Sequence, residues 1–130
     1  MSIHLAFAIA PFGLEPLSRF TLDEVPGADG LFALVGTGTT ESGTTDPRLY
    51  VLDAAVHLSS YAPVISDEQT TILDLRDAAE AMLLVVANPA EAETTVNLLA
   101  PIVVNARTGI GAQFILEDQE FPLRAVLTRS

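Results

Sequence analysis

The chain has 130 residues, of which 49% are hydrophobic, so it is long enough for one folded domain and too hydrophobic for disorder along its whole length. It contains 17 acidic residues and 6 arginines but no lysine, which gives a formal net charge of -11. The arginines are scattered, which argues against direct binding to nucleic acid. The absence of cysteine excludes disulfides, thiolate metal sites and a cysteine nucleophile.

The apolar runs of the chain are far shorter than the ~20 residues that span a bilayer, and the first residues lack the basic start of a signal peptide. We therefore expect a cytoplasmic protein that does not bind membranes. The excess of acid has two interpretations: it keeps a hydrophobic protein soluble, or it attracts a basic protein surface.

Short β-compatible segments dominate the first half of the chain. Apolar side chains alternate with polar or small ones along residues 3–9, which predicts a strand with one buried face. Two further strands are predicted at residues 31–35 and 49–52, preceded by a Pro-Gly turn within residues 25–30. The connection at residues 36–46 contains no apolar side chain, so it predicts a solvated, mobile loop between two strands.

The second half opens with a helix signal. Ser66 followed by Gln69 has the form of a capping box and predicts a short helix to about Leu75, with one more turn at residues 77–80. Five strands are predicted to follow, at residues 82–87, 94–96, 102–105, 112–116 and 123–127. A hairpin turn is predicted at residues 107–111. This spacing predicts an all-β fold: a single antiparallel barrel-like or sandwich domain over residues 1–130, with one or two short helical turns.

Residue types that carry chemistry are sparse. His4 lies on the polar side of the first predicted strand, and His57 has serines near it but no catalytic arrangement, so both are interpreted as surface or structural histidines. The acidic residues Glu117, Asp118 and Glu120 follow a predicted strand and are interpreted as a solvated strand end. We expect neither an enzyme nor a bound metal or cofactor, since no metal-ligand or cofactor motif is present.

The segment at residues 94–124, TTVNLLAPIVVNARTGIGAQFILEDQEFPLR, resembles the C-terminal signature of the FliW family of flagellar assembly factors. That signature runs in the style of T-x-N-L-L-A-P-I-V-x-N, followed by Q-x-I-L and an acidic turn. The agreeing residues are Thr95, Asn97, Leu98, Leu99, Ala100, Pro101, Ile102, Asn105, Gly111, Gln113, Ile115 and Leu116. A thinner likeness continues upstream, at residues 25–27, 46–50, 61 and 66–68.

The resemblance implies a protein that binds other proteins. FliW-like proteins bind CsrA, the RNA-binding repressor of flagellin translation, and relieve the repression. They also bind flagellin, so secretion of flagellin frees them to bind CsrA. We expect a monomer when the protein is free. The candidate partner-binding residues are Tyr61, Asn97, Asn105, Glu117, Asp118 and Glu120.

Structural roles compete with binding roles for several of these residues. Asn97 and Asn105 are expected to cap turns or to bond backbone groups, and Tyr61 suits a core and an interface equally well. The apolar residues of the signature are expected in the core, namely Leu98, Leu99, Ile102 and Val104.

The alternative function is that of a small-ligand-binding β-barrel. A sealed apolar interior with a few polar groups would favour that alternative, whereas an exposed apolar patch beside an acidic rim would favour protein binding. The chain departs from the family pattern at Ala28, at Ala54-Ala55 and in the loop at residues 36–46, so partner choice differs here if those positions carry contacts.

Overall fold

The structure is a computed structural model that describes residues 2–58, 60–88, 94–116 and 119–126. Within these ranges two helices, α1 (Ala54–His57) and α2 (Asp67–Ile72), accompany a 3₁₀ turn at Ala78–Glu80. The strands in the same ranges are β1 (Ser2–Ile9), β2 (Arg19–Glu24), β3 (Leu31–Gly36), β4 (Arg48–Asp53), β5 (Ala81–Asn88), β6 (Thr95–Val96), β7 (Ile102–Asn105), β8 (Ile110–Gln113) and β9 (Ala125–Val126).

Seven strands close into a barrel in the order β4-β3-β2-β1-β8-β7-β5, and β5 pairs back to β4. Beyond the barrel, β6 pairs with the end of β5, and β9 pairs with β6. The prediction of an all-β, barrel-like fold with short helical turns is confirmed. Its purely antiparallel form is wrong at one pair, because β1 and β8 run parallel. About a hundred residues separate these two strands, so no hairpin dictates their relative direction.

Side chains from the barrel strands fill the interior. Phe7 and Phe20 pack there with ring centroids 4.8 Å apart. Gly111 leaves room for the Phe7 ring, because a Cβ at residue 111 would lie 3.2 Å from it. Leu14 and Leu17, from the loop between β1 and β2, close over the same cluster. The other buried members are Leu5, Leu22, Leu34, Val51, Leu84, Ile102 and Val104.

β5 has a second apolar face on the outside of the barrel. Val85 and Ala87 pack there in a cluster with Leu52 and Val96, beneath the segment that carries Tyr61. Nearer the start of the strand, the outward side chains of β5 pack against a separate cluster formed by Leu73, Val103, Ala112 and Phe114. Both faces of β5 are therefore in contact with protein, which explains its continuous apolar sequence.

The helix after Ser66 is confirmed but is shorter than predicted. Ser66 Oγ accepts from the Gln69 N–H at 3.1 Å, and Gln69 Oε1 accepts from the Ser66 N–H at 2.8 Å, so the capping box is complete. The helix ends at Ile72 rather than near Leu75. Asp74 adopts a left-handed φ of 53°, which turns the chain out of the helix.

Two strands near the C-terminus are also shorter than predicted. The strand expected at residues 112–116 is β8, Ile110–Gln113, because Phe114 and Leu116 bond to the loop between β6 and β7. The strand expected at residues 123–127 is limited to Ala125–Val126 among the described residues, and Leu127 lies outside them. β2 and α1 are two elements that the sequence pattern does not predict.

Some apolar residues that were expected in the core reach the surface. Ile3 and Ile9, near the two ends of β1, are exposed, since only the middle of that strand faces the filled part of the barrel. Leu98 and Leu99 are half-buried, because they lie in the turn between β6 and β7 rather than inside the barrel.

The connection at residues 36–46 joins β3 to β4 as predicted, but it is a hydrogen-bonded hairpin. Thr39 and Thr45 form a β-bridge and their hydroxyls lie 3.1 Å apart. Thr40 is buried, and its Oγ1 accepts from the Thr44 N–H at 3.1 Å. The prediction of a fully solvated loop is therefore wrong at Thr40. Its hydroxyl bonds to the backbone within the hairpin, so the residue is buried although the loop has no apolar side chain.

Ile102 is buried in the barrel as expected, together with Val104. Truncating its side chain should therefore lower the stability of the fold. We expect Ile102→Ala to lower the free energy of unfolding by ~2–5 kcal/mol, because it removes buried contacts and leaves a cavity. The control is Ile115→Ala, at a side chain that is 47% exposed and should tolerate the change. Urea unfolding followed by circular dichroism measures both, and equal losses would contradict the assigned core.

Candidate protein-binding surface

Tyr61 joins three segments that are distant in sequence. Its hydroxyl donates a hydrogen bond to the backbone oxygen of Leu98. Its ring packs edge-on against Phe121, with centroids 5.0 Å apart and ring planes at 80°. The ring also packs against the apolar cluster outside β5, while part of it stays exposed. Tyr61 therefore serves the fold and also presents an aromatic surface to solvent.

A glutamine strengthens the same junction. Gln119 Oε1 accepts from the Val64 N–H at 2.8 Å, and Gln119 Nε2 donates to the Val64 carbonyl at 3.0 Å. The Leu98 N–H donates to the carbonyl of Pro122 at 3.1 Å. The segment at residues 119–122 is thus fastened to the Tyr61 segment and to the turn after β6.

Of the three acidic residues predicted at this end of the chain, the structure describes one. Glu120 is exposed, and the next residue, Phe121, is the one whose ring packs against Tyr61. Glu117 and Asp118 lie outside the described residues.

The side chains of the two asparagines form hydrogen bonds with backbone groups, which is the structural role expected for them from the sequence. Asn97 Oδ1 accepts from the N–H groups of Leu99 and Ala100, each at 3.0 Å, and so caps the turn before β7. Asn105 is 0% exposed, so a partner cannot reach it in this structure. Its side chain donates two hydrogen bonds and accepts two, all with backbone groups, at Leu73, Asp74, Arg107 and Thr108.

The outward face of β5 is left partly open between α1 and α2. Two open grooves, with volumes of 520 Å³ and 470 Å³, both contain Ala81 and Leu83 in their lining and therefore meet along this strand. We call the two together the β5 groove. The other apolar residues that shape it include Leu58, Tyr61, Pro63, Ile65, Leu75 and Val103.

Charged residues border the β5 groove. Asp53 lines one of the two grooves, and Asp77 lines the other together with Arg76. Each carboxylate is held by a backbone bond at a helix start: Asp53 Oδ1 accepts from Ala55 N at 2.9 Å, and Asp77 Oδ1 accepts from Ala79 N at 3.0 Å. The groove therefore has an acidic rim whose positions are fixed by the fold.

An ion-pair cluster holds the α2 side of the groove. Arg107 Nε donates to Glu80 Oε2 at 2.6 Å, and Arg107 Nη2 lies 3.3 Å from Asp74 Oδ2. The backbone N–H of Arg76, together with the Arg107 guanidinium, lowers the pKa of the Glu80 carboxyl. These contacts fasten the turn after α2 to the hairpin between β7 and β8.

A histidine holds the α1 side. His57 Nε2 donates to the carbonyl of Asp29 at 2.7 Å, which ties α1 to the turn between β2 and β3. Gly30 makes this contact possible, since a Cβ there would lie 2.9 Å from His57 Nε2. His57 is thus a structural histidine, and His4 is exposed on β1, as the sequence interpretation of both has it.

Among the described residues, the barrel core leaves little space for a ligand. A cavity lined by Leu5, Leu22 and Val104 among others has a volume of 60 Å³, whereas ligand pockets measure about 300–1,000 Å³. In the described part of the chain, no three His, Asp or Glu side chains are grouped so that they could hold a metal ion. No helix in that part is both long and apolar enough to cross a membrane.

Sequence reasoning did not find the β5 groove, although one signal for it was available. The run at residues 82–87 is apolar in both phases of the strand, so its outward face must also find cover. Which segments supply that cover depends on contacts between residues far apart in the chain. Those contacts leave Ala81 and Leu83 only partly covered.

The architecture defines the class of protein: a small closed β-barrel with a packed interior and an apolar groove on its outer surface. A family model described as FliW protein matches residues 3–127. The chain therefore belongs to the FliW family.

Individual relatives agree with this assignment. The flagellar assembly factor FliW of Symbiobacterium thermophilum is 30% identical over 124 residues, covering 93% of this chain and 86% of that protein. The flagellar assembly factor FliW of a Thermotoga species is 32% identical over 124 residues, covering 85% of this chain and 83% of that protein. A crystal structure of the flagellar assembly factor FliW shares the fold, with a TM-score of 0.82 at 20% identity over 98% of this chain and 86% of that chain.

The environment of Tyr61 predicts a pH dependence. Burial raises its pKa to about 12, from an ordinary value of 10.0. The folded protein therefore holds the phenolic proton more tightly than the unfolded chain does. The contribution of Tyr61 to stability is complete below about pH 10 and is lost as the pH rises towards about 12.

We expect the urea midpoint of the wild type to fall across this alkaline window, and the midpoint of Tyr61→Phe to fall less. Tyr50→Phe is the matched control, because it removes a phenol from β4 and leaves Tyr61 in place. Urea unfolding measured at a series of pH values gives both slopes. An unchanged slope in Tyr61→Phe would contradict the hydrogen-bonded, half-buried phenol.

Proposed function

We propose that the chain is a cytoplasmic flagellar assembly factor that acts by binding proteins and carries out no catalysis. Its partners are a CsrA-like repressor of flagellin translation and flagellin itself. Binding to CsrA relieves the repression, and flagellin that accumulates in the cell competes for the same protein and restores it. Membership of the FliW family supports this proposal, since the relatives named above are flagellar assembly factors.

One observation carries the proposal: the open apolar surface is outside the barrel, in the β5 groove, beside the carboxylates of Asp53 and Asp77. An apolar surface with an acidic rim suits a protein partner that carries basic groups. The alternative of a small-ligand barrel needs interior space, and the 60 Å³ cavity argues against it.

The net charge of -11 supports CsrA as the partner at this surface. An RNA-binding protein presents basic groups to phosphates, so an acidic protein is attracted to that surface and, once docked, repels RNA. We propose that CsrA meets the Tyr61 end of the β5 groove and that Glu117, Asp118 and Glu120 take part in the same contact.

A charge reversal at Glu120 tests this placement. We expect Glu120→Lys to slow association with CsrA several-fold at low ionic strength and to weaken its salt dependence, because exposed charges act mainly on the encounter rate. The measurement is the association rate of purified CsrA from the same organism, followed by surface plasmon resonance at several salt concentrations. Unfolding should change little, since the side chain is exposed.

The matched control is Glu41→Lys, which makes the same charge change at an exposed position in the hairpin at residues 36–46. If both variants slow CsrA equally, net charge rather than a local contact sets the rate. If neither does, Glu120 is not part of the CsrA surface.

A further inference from the structure

One side of the β5 groove is formed by the short segment that follows α2. Leu75, Arg76 and Asp77 line one of the two grooves, and Ala79 lines the other, so this segment borders both. We call residues 75–79 the groove wall. Leu75 is half-buried against an apolar cluster outside the barrel, whereas Arg76, Asp77 and Ala79 are exposed. An exposed segment with so little apolar contact keeps one position only if other groups hold its backbone.

Glu80 connects the groove wall to the hairpin between β7 and β8. Its Oε1 accepts from the Arg76 N–H at 2.8 Å, and its Oε2 accepts from Arg107 Nε at 2.6 Å. Its backbone carbonyl accepts from the Ala106 N–H at 2.8 Å. The carboxylate therefore bonds the wall with one oxygen and the hairpin with the other.

Arg107 reaches the chain on both sides of the groove wall. In addition to its bond with Glu80, its Nη2 donates to the Asp74 carbonyl at 2.9 Å and lies 3.3 Å from Asp74 Oδ2. Asp74 directly precedes the wall and Glu80 directly follows it. A single guanidinium therefore holds both ends of the wall against the hairpin.

The end of α2 has a separate attachment that does not need these ion pairs. The buried side chain of Asn105 donates to the carbonyls of Leu73 and Asp74. The side chains of Arg107 and Asp74 are 36% and 62% exposed, and ion pairs between such exposed groups add little to stability. Removing the guanidinium should therefore keep the fold and loosen the groove wall.

We infer that Arg107 and Glu80 are positioning residues for the binding of CsrA. They hold the groove wall in the conformation that CsrA binds, although neither is among the described residues that line the β5 groove. The inference rests on the proposed function, which places CsrA at the Tyr61 end of this groove, where Ala79 of the wall is also found. A wall that is already ordered loses less conformational entropy on binding, so the two residues raise the affinity.

Two substitutions that change the net charge in opposite directions separate positioning from long-range attraction. Arg107→Gln makes the chain more negative, and Glu80→Gln makes it less negative. If net charge alone set the affinity for a basic partner, Arg107→Gln would bind CsrA at least as well as the wild type does. If the two residues hold the wall, both variants bind CsrA more weakly.

Two further variants complete the design. Arg107→Lys keeps the positive charge but not the forked guanidinium, so it should recover part of the affinity that Arg107→Gln loses. The matched control is Arg19→Gln, which makes the same charge change at an exposed arginine. Arg19 lies on β2, which pairs with β1 and β3 rather than with β5.

Titration calorimetry with purified CsrA from the same organism gives the affinities. Hydrogen exchange followed by NMR, with no partner present, gives the protection of the Arg76 amide. We expect Arg107→Gln to bind CsrA about tenfold more weakly, and Arg19→Gln to bind it normally. In Arg107→Gln the Arg76 amide should exchange several-fold faster, while the amides of β5 and the urea midpoint change little.

CsrA affinity that is unchanged or raised in Arg107→Gln would overturn the inference and leave the proposed function standing. The same holds for an Arg76 amide that exchanges at the wild-type rate, and for an equal loss of affinity in Arg19→Gln. An unfolded Arg107→Gln would also overturn it, because Arg107 would then support the whole fold rather than the wall. If the wild type does not bind CsrA, the proposed function fails and the inference fails with it.

Discussion

β5 contacts the rest of the protein through both of its faces, and the remaining structure depends on this arrangement. Its inward side chains, such as Leu84, complete the barrel core, while its edges pair with β4, β7 and β6. Its outward side chains would be exposed in an isolated barrel, and they are covered in part by α1, by the Tyr61 segment and by Ile65, Leu73 and Leu75 on either side of α2. The cover is incomplete at Ala81 and Leu83, and the β5 groove results. The acidic rim lies at two helix starts beside the groove, since Asp53 caps α1 and Asp77 bonds the first residues of the 3₁₀ turn.

The segment at residues 119–124 gives the outer surface its second feature. It has little regular structure. Hydrogen bonds with Val64 and Leu98 and ring packing against Tyr61 hold it in place. Because Phe121 packs against Tyr61, which lines the β5 groove, this segment stands at one end of that groove.

The sequence predicts the fold well where local rules apply. Alternation identifies β1, the Ser66 capping box identifies α2, and the continuous apolar run at residues 82–87 identifies β5. Non-local features are not accessible in the same way: the parallel pairing of β1 with β8 and the four-residue helix α1 depend on contacts between distant segments. The same limit applies to the site. The capping role of Asn97 is readable from its position before a turn, whereas the complete burial of Asn105 follows from the way the chain after α2 folds over it.

We propose that the protein works from its outer surface as a partner switch between CsrA and flagellin. Fluorescence anisotropy of a labelled flagellin leader RNA bound to CsrA tests this most directly. We expect that adding the protein lowers the anisotropy to that of free RNA, and that adding flagellin monomer afterwards raises it again. An anisotropy that never falls would contradict the antagonism of CsrA. A fall that flagellin does not reverse, with all three proteins found in one complex by analytical ultracentrifugation, would contradict the mutual exclusion of the two partners.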